Sequence, residues 1–378
     1  MRIALLLLSL VAASCIEPTN REVEPPRPDA EPDVRVYLRS LGEWKSLKIT
    51  GKGDVYVYPK DRKSPVWGKR YEELNVVRTS TGCRIEGITG DTPTVRLKPR
   101  KGIIHVGGKS YSGELIVEDG KVINVVPMEN YVLGVLRGEI PLPDIPLAAA
   151  KAQAIAVRSY TLHYVDKKDP LFDVDDTTLF QVYAGLKYAP DDKTLREGVQ
   201  KSRGRVMFYE NEPVKAYYHS TCGGHTTDVP TGLDREGTGC MPGVPCEYCS
   251  HSKYYRWKSS HTEATVLKAV QLDGRLQSVR VTETGPGGRA KEVEVITTTG
   301  KRRMSASVFR LRVGPSTIRS TRWSQAVGGP DGLVLAGSGW GHGVGMCQMG
   351  AIGRARKGQG GDAICRSYYP GVEIRIIY

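Results

Sequence analysis

The sequence predicts an α+β protein, a β-rich scaffold with hairpin insertions and a few helices framing a groove, and three observations lead there. Short alternating apolar runs broken by Gly and Pro fill residues 34–125, the pattern of half-buried strands. Two helical stretches follow in succession, one around NYVLGVLRG and one through LAAAKAQAIAVRSYTL. Beyond them, hairpin runs and short helices stay segregated rather than alternating one for one, which argues against a doubly wound sheet. With 378 residues and 39% hydrophobic content, the chain can bury one large core or two modest ones.

Residues 1–15, MRIALLLLSLVAASC, carry a basic residue, an apolar run and small residues before Cys15. This reads as an export signal, so the mature protein is expected in the cell envelope or periplasm. Ala12-Ala13-Ser14-Cys15 resembles a lipoprotein cleavage box, and a lipid on Cys15 is the one membrane attachment expected. Residues 16–33 are dominated by Pro and charge and read as a tether that does not fold. Residues 34–125 then form the β-rich N-terminal part, with Asp119-Gly120 a strong hairpin turn.

Residues 126–378 form the core, and Glu139 is its central residue. In a helix over Asn130 to Gly138, Val132, Val135, Leu136 and Glu139 share one face, placing a carboxyl among aliphatic side chains. Gly138 can end that helix in the left-handed conformation, and Pro141 extends Ile140. A carboxyl so placed has its charged form disfavoured, which suits it to donate a proton near neutral pH. The next helix opens near Pro146; its six alanines allow close packing, and Lys151 and Arg158 are one heptad apart, able to hold an anion or to solvate the helix.

PLFDVDDTTLFQVYAG sets Asp173, Asp175 and Asp176 ahead of Gln181 and Tyr183, without a complete calcium-loop spacing. A hairpin turning at Glu210-Asn211 leads into His219, Ser220 and Cys222. Within an insertion at residues 222–336, Cys222, Cys240, Cys246 and Cys249 supply the CxxC element and the four thiolates of a zinc site. Export would instead favour disulfides from the same residues, and without Cys15 an odd number of cysteines remains. Glycines at 337, 339, 341, 343 and 345 let the backbone approach a large ligand, with Trp340 able to stack a sugar and His342 to hydrogen-bond it. A helix is expected over Met346 to Lys357, and a helix and final strand close the chain. The run lacks the registers of dinucleotide and phosphate-binding loops. The net charge of +13 attracts anions, but no aromatic-basic interleaving points to nucleic acid, and wall carboxylates are nearer for an exported protein.

ENYVLGVLRGEIP, LAAAKAQAIAVRSYTL, DVDDTTLFQVYAG, AYYHSTCGGHTTD, GSGWGHGVGMCQMGA and SYYPGVEI, in this order, resemble the successive motifs of the stage II sporulation protein D and amidase-enhancer family. The resemblance implies action on peptidoglycan glycan strands, in sporulation members as a lytic transglycosylase whose acid matches Glu139. It implies that Asp176, Gln181 and His219 line the cleft of the catalytic acid. Lys151, Arg158, Tyr183, Ser220, Trp340, His342 and Gln348 are the further residues expected to contact the substrate. It also implies that some relatives only stimulate a wall amidase. The expected function is glycan-strand cleavage by one glutamate acting as acid and base. Intramolecular attack by the sugar's 6-hydroxyl removes the need for the second carboxylate of an ordinary glycosidase. The alternatives are a non-catalytic wall-binding activator of an N-acetylmuramoyl-L-alanine amidase and a zinc amidase centred on the cysteines.

Overall fold

The computed structural model describes residues 30–59, 71–140, 144–165, 169–186 and 192–378. The predicted export signal, Cys15, most of the predicted tether and Pro141 lie outside the described residues.

The protein is strand-rich α+β. A ten-stranded sheet runs from Asp33–Tyr37 to Val174–Asp175 and is antiparallel except where those two strands pair, Val36 opposite Val174. The hairpin joining Glu114–Glu118 to Lys121–Pro127 turns on Asp119 (φ 49°) and Gly120 (φ 67°). Both residues are left-handed, which is why Asp-Gly marked it. The parallel pairing lays the aspartate-rich segment beside the first strand. Asp173 bonds Arg35 at 2.6 Å, Asp175 bonds Arg39 at 2.8 Å, and Asp176 accepts the Ser40 N–H at 2.9 Å as well as its hydroxyl proton.

Eight helices are present among the described residues: α1 Met128–Glu139, α2 Leu147–Leu162, α3 Lys193–Lys201, α4 Val229–Leu233, α5 Glu263–Val270, α6 Ala306–Val313, α7 Gln348–Arg356 and α8 Gly361–Tyr368. The predicted helix from Met346 starts two residues later, because Met346–Cys347 pair in parallel with Tyr218–His219. Gly138 stays right-handed, and Ile140 alone turns extended at φ −119°.

Three apolar cores form. Tyr131, Val132, Val135 and Leu136 of α1 close the inner face of the large sheet together with Ala150, Ala154 and Val157 of α2. Ala152, Ile155 and Ala156 of α2 face a second core with Cys222, Cys246, Cys347 and Tyr368. A helix buried on both sides needs small residues all round, which accounts for its alanines. The third core, around Val266, Val293, Phe309 and Leu335, is built from residues between Trp257 and Leu335.

Arg158 is fully buried and does not serve the predicted anion site. Its guanidinium grips Glu129 with two bonds, at 2.9 and 2.8 Å, and donates to the Arg205 carbonyl at 2.9 Å. Glu129 also accepts from the Tyr378 hydroxyl at 2.6 Å, so this pair ties the chain's last residue to α1. Arg158→Ala strands a buried carboxylate, and a loss of about 3–5 kcal/mol is expected in urea unfolding.

Candidate functional site

Glu139 is the last residue of α1, and its carboxylate accepts the Val182 N–H at 2.8 Å. That contact depends on two glycines one turn apart. A Cβ on Gly138 would lie 2.3 Å from the Val182 carbonyl, and one on Gly134 2.4 Å from the Tyr183 ring. The segment through Gln181–Gly185 therefore lies directly on the helix backbone, a close approach that only small residues allow. Burial raises the pKa of Glu139, and the Val182 N–H pulls it only part of the way back. A helix C-terminus adds partial negative charge, which also favours the neutral acid.

A path of hydrogen bonds joined by backbone links runs from this carboxyl to the glycine loop. Next to Val182, Gln181 donates to the Thr161 hydroxyl at 2.9 Å and accepts from the Tyr218 hydroxyl at 3.0 Å. Burial, and then the proximity of Glu139, holds the Tyr218 phenol well above its ordinary pKa, so it stays a donor. The Tyr218 carbonyl accepts His342 Nε2–H at 2.9 Å, and His342 Nδ1 accepts the Val344 N–H at 3.1 Å. The Val344 carbonyl accepts at 3.0 Å from His219 Nδ1, which must therefore carry the proton, leaving His219 Nε2 buried without a partner among the described residues. Burial pushes His342 down to about 3 and His219 also well below its ordinary value, so both imidazoles are neutral.

The structure gathers Glu139, Gln181, His219 and His342 into one network, with Ser220 at the strand end and Gln348 at the start of α7. Trp340 is half-exposed and meets Tyr254 edge-on, ring centroids 4.2 Å apart. Other candidates are placed elsewhere. Tyr183 is buried under the sheet, its hydroxyl on Asn124 at 2.9 Å and its ring against Tyr131, so it packs the core instead of touching a substrate. Asp176 is committed to Ser40, so it is a structural carboxylate and not a spare acid. Lys151 sits where α2 meets α3 and α8, its Cβ and backbone crowding Gly361 and Gly198. Tyr218 was missed because a tyrosine before a histidine in a strand has no distinctive pattern.

The metal-ligand set also differs from the predicted one. The sulfurs of Cys222, Cys246, Cys249 and Cys347 lie within 4.8 Å of one another, all buried. Cys240 is apart, its sulfur next to the Thr238 hydroxyl at 3.6 Å. The seven cysteines of the described residues are free thiols. Cys347 replaces Cys240 because the pairing of Tyr218–His219 with Met346–Cys347 sets Cys347 beside Cys222, 125 residues away in sequence. Tetrahedral zinc with four sulfurs needs S–S separations of about 3.8 Å, which this cluster can meet. Backbone N–H groups of Cys222 and Gly350 point at the Cys347 sulfur at 3.2 Å, and that of Gly224 at the Cys222 sulfur at 3.4 Å. Such donors favour thiolates. Fully buried Arg289 donates to the Cys222 carbonyl at 3.1 Å while its Nε and Nη1 find no acceptor among the described residues. A buried cation without a carboxylate is costly, and a metal tetrathiolate, which is an anion, would offset it.

Comparison with known proteins adds two domain matches: residues 118–209 fit the stage II sporulation protein model, and residues 247–345 fit a domain of unknown function. An uncharacterised protein of Brachyspira hyodysenteriae is 29% identical, covering 90% of this chain and 92% of its own length. Stage II sporulation protein D of Bacillus amyloliquefaciens is 30% identical, over 66% of this chain and 74% of that protein. The amidase enhancer of Bacillus subtilis is 26% identical, over 64% of this chain and 40% of its own length.

Proposed function

Because the chain belongs to the stage II sporulation protein D family, we propose that it acts on the cell wall and cleaves peptidoglycan glycan strands as a lytic transglycosylase, with Glu139 as acid and base. The observation that carries this reading is Glu139 itself, a carboxyl whose pKa burial raises, held at a helix end by a single backbone N–H. The protonated acid gives its proton to the glycosidic oxygen as the C1–O bond breaks. The resulting carboxylate takes the proton of the 6-hydroxyl, whose oxygen closes on C1, so the sugar ends as a 1,6-anhydro ring and no water is consumed. Neutral His342 and His219 stiffen the glycine loop and carry no proton in this scheme. Mass spectrometry of glycan incubated with the purified protein should find 1,6-anhydro ends. New reducing ends instead would mean hydrolysis.

The similarity to an amidase enhancer favours a second reading, a wall-binding protein that activates a partner amidase without cutting glycan itself. In that case neither kind of end appears, and stimulation of the amidase survives Glu139→Gln.

The cluster of Cys222, Cys246, Cys249 and Cys347 is proposed to hold zinc as a closed structural site. Four thiolates leave no open coordination position, which speaks against a zinc amidase centred there. Zinc there supplies cross-linking between the insertion and the strand leading into α7, and no catalytic step.

Export and lipid anchoring at Cys15 complete the proposal. Cys15→Ser is expected to move the protein from the membrane fraction to the soluble fraction; unchanged fractionation would remove the anchor.

A further inference from the structure

Beside the glycine loop is a cavity of about 280 Å³, lined among others by Gly223, Tyr255, Arg256, Arg322, Trp323 and Ser338. Arg322 is held rigidly there. Its Nε donates to the Gly287 carbonyl at 2.8 Å, and its Nη1 to the Ser338 hydroxyl at 2.9 Å and to the Gly223 carbonyl. No hydrogen bond among the described residues uses its Nη2. Arg256 is exposed, its guanidinium 5.9 Å from the Tyr255 ring. Neither arginine has a carboxylate partner among the described residues. Behind them, Arg289 and Arg310 are buried and likewise lack one, Arg310 spending its donors on the Ile318 and Pro315 carbonyls.

Arg289 faces Cys222, but Arg256, Arg322 and Arg310 have no acidic partner among the described residues, so the cavity is positively charged. The Trp323 indole N–H is spent on the Ser320 carbonyl at 2.8 Å, so the ring can offer only its apolar surface to the cavity. Left-handed Gly288 lies at the rim in open space, where a Cβ would meet nothing within 4 Å. Guanidinium donors beside aromatic rings suit an anion carried on a bulky body with apolar faces.

We propose that this cavity binds a carboxylate borne on the wall glycan, through Arg322 Nη2 and Arg256, with Tyr255 and Trp323 against the attached body. The inference rests on the wall reading and names part of its ligand. The carboxylate belongs either to the lactyl arm of muramic acid or to a stem peptide attached there.

The test uses the full-length Glu139→Gln protein, so binding is read without cleavage. Calorimetry would compare glycan oligomers with free lactyl carboxylates, the same oligomers capped as methylamides, and the stem peptide alone. The carboxylate form is expected to bind about tenfold tighter than the amide, and Arg256→Gln and Arg322→Gln should each remove that difference. Arg256 is exposed and makes no hydrogen bond among the described residues, so its replacement remains informative if Arg322→Gln misfolds. Tight binding of the peptide alone, lost in Arg256→Gln, would assign the carboxylate to the peptide. Equal binding of acid and amide with no peptide binding, or discrimination that persists in Arg256→Gln, would overturn the proposal. Discrimination by a protein whose wild type cleaves nothing would refute the enzymatic reading alone, and cleavage without discrimination would refute this cavity alone.

Discussion

Glu139→Gln is expected to fold normally and to lose glycan cleavage by about two orders of magnitude or more. Glutamine keeps the size of the side chain and an oxygen for the Val182 N–H, so the contact at 2.8 Å can persist. What it cannot do is give a proton to the leaving oxygen or take one from the 6-hydroxyl. Release of 1,6-anhydro ends measures the loss. Wild-type rates in the variant would remove Glu139 from the chemistry, and Asp176 does not stand in for it, being held by Ser40.

The pH dependence follows from the same burial. Glu139 titrates above the ordinary glutamate value of 4.5 in the folded protein, so the native state binds this proton more tightly than the unfolded chain does. Its cost to stability is therefore absent below the unfolded pKa and grows as pH rises through the folded one. The thermal stability of Glu139→Gln relative to wild type should increase from acid to neutral pH over that window. Cleavage should decline on the alkaline side of the same raised pKa, where the acid has lost its proton.

Cys347→Ser is expected to release bound zinc and to destabilise the fold severely, because structural zinc in small sites is worth about 10–16 kcal/mol of apparent binding energy. Elemental analysis of wild-type protein should find one zinc per chain, and the variant far less. Cys240→Ser supplies the contrast, since Cys240 lies outside the cluster, and its metal content should stay at the wild-type level. Absence of zinc from wild-type protein, with mass shifts of paired disulfides, would overturn the metal reading. Equal loss of zinc in both variants would return Cys240 to the ligand set.

Whatever depends on neighbours a few residues apart was legible in the sequence. The apolar face of α1 with its terminal carboxyl and the turns at Asp119-Gly120 and Glu210-Asn211 each follow from periodicity or from local backbone preference. Pairings across the chain were not legible. An alanine-rich helix reads the same whether one side of it or all sides are covered, so Arg158 looked like a surface cation until a second core closed over it and Glu129 became its partner. Tyr183 and Asp176 sit among hydrogen-bonding residues in sequence, yet the sheet buries one and the first strand occupies the other. The CxxC at Cys246 and Cys249 was visible because its spacing is local, whereas the choice between Cys240 and Cys347 rested on which strand lies beside Tyr218–His219. Local patterns record backbone preferences, which residues adjacent in the chain set without help from distant segments. Which charged or sulfur-bearing side chains meet is decided by the packing of distant segments, because removal from water makes each buried polar group find the partner that the tertiary structure brings to it.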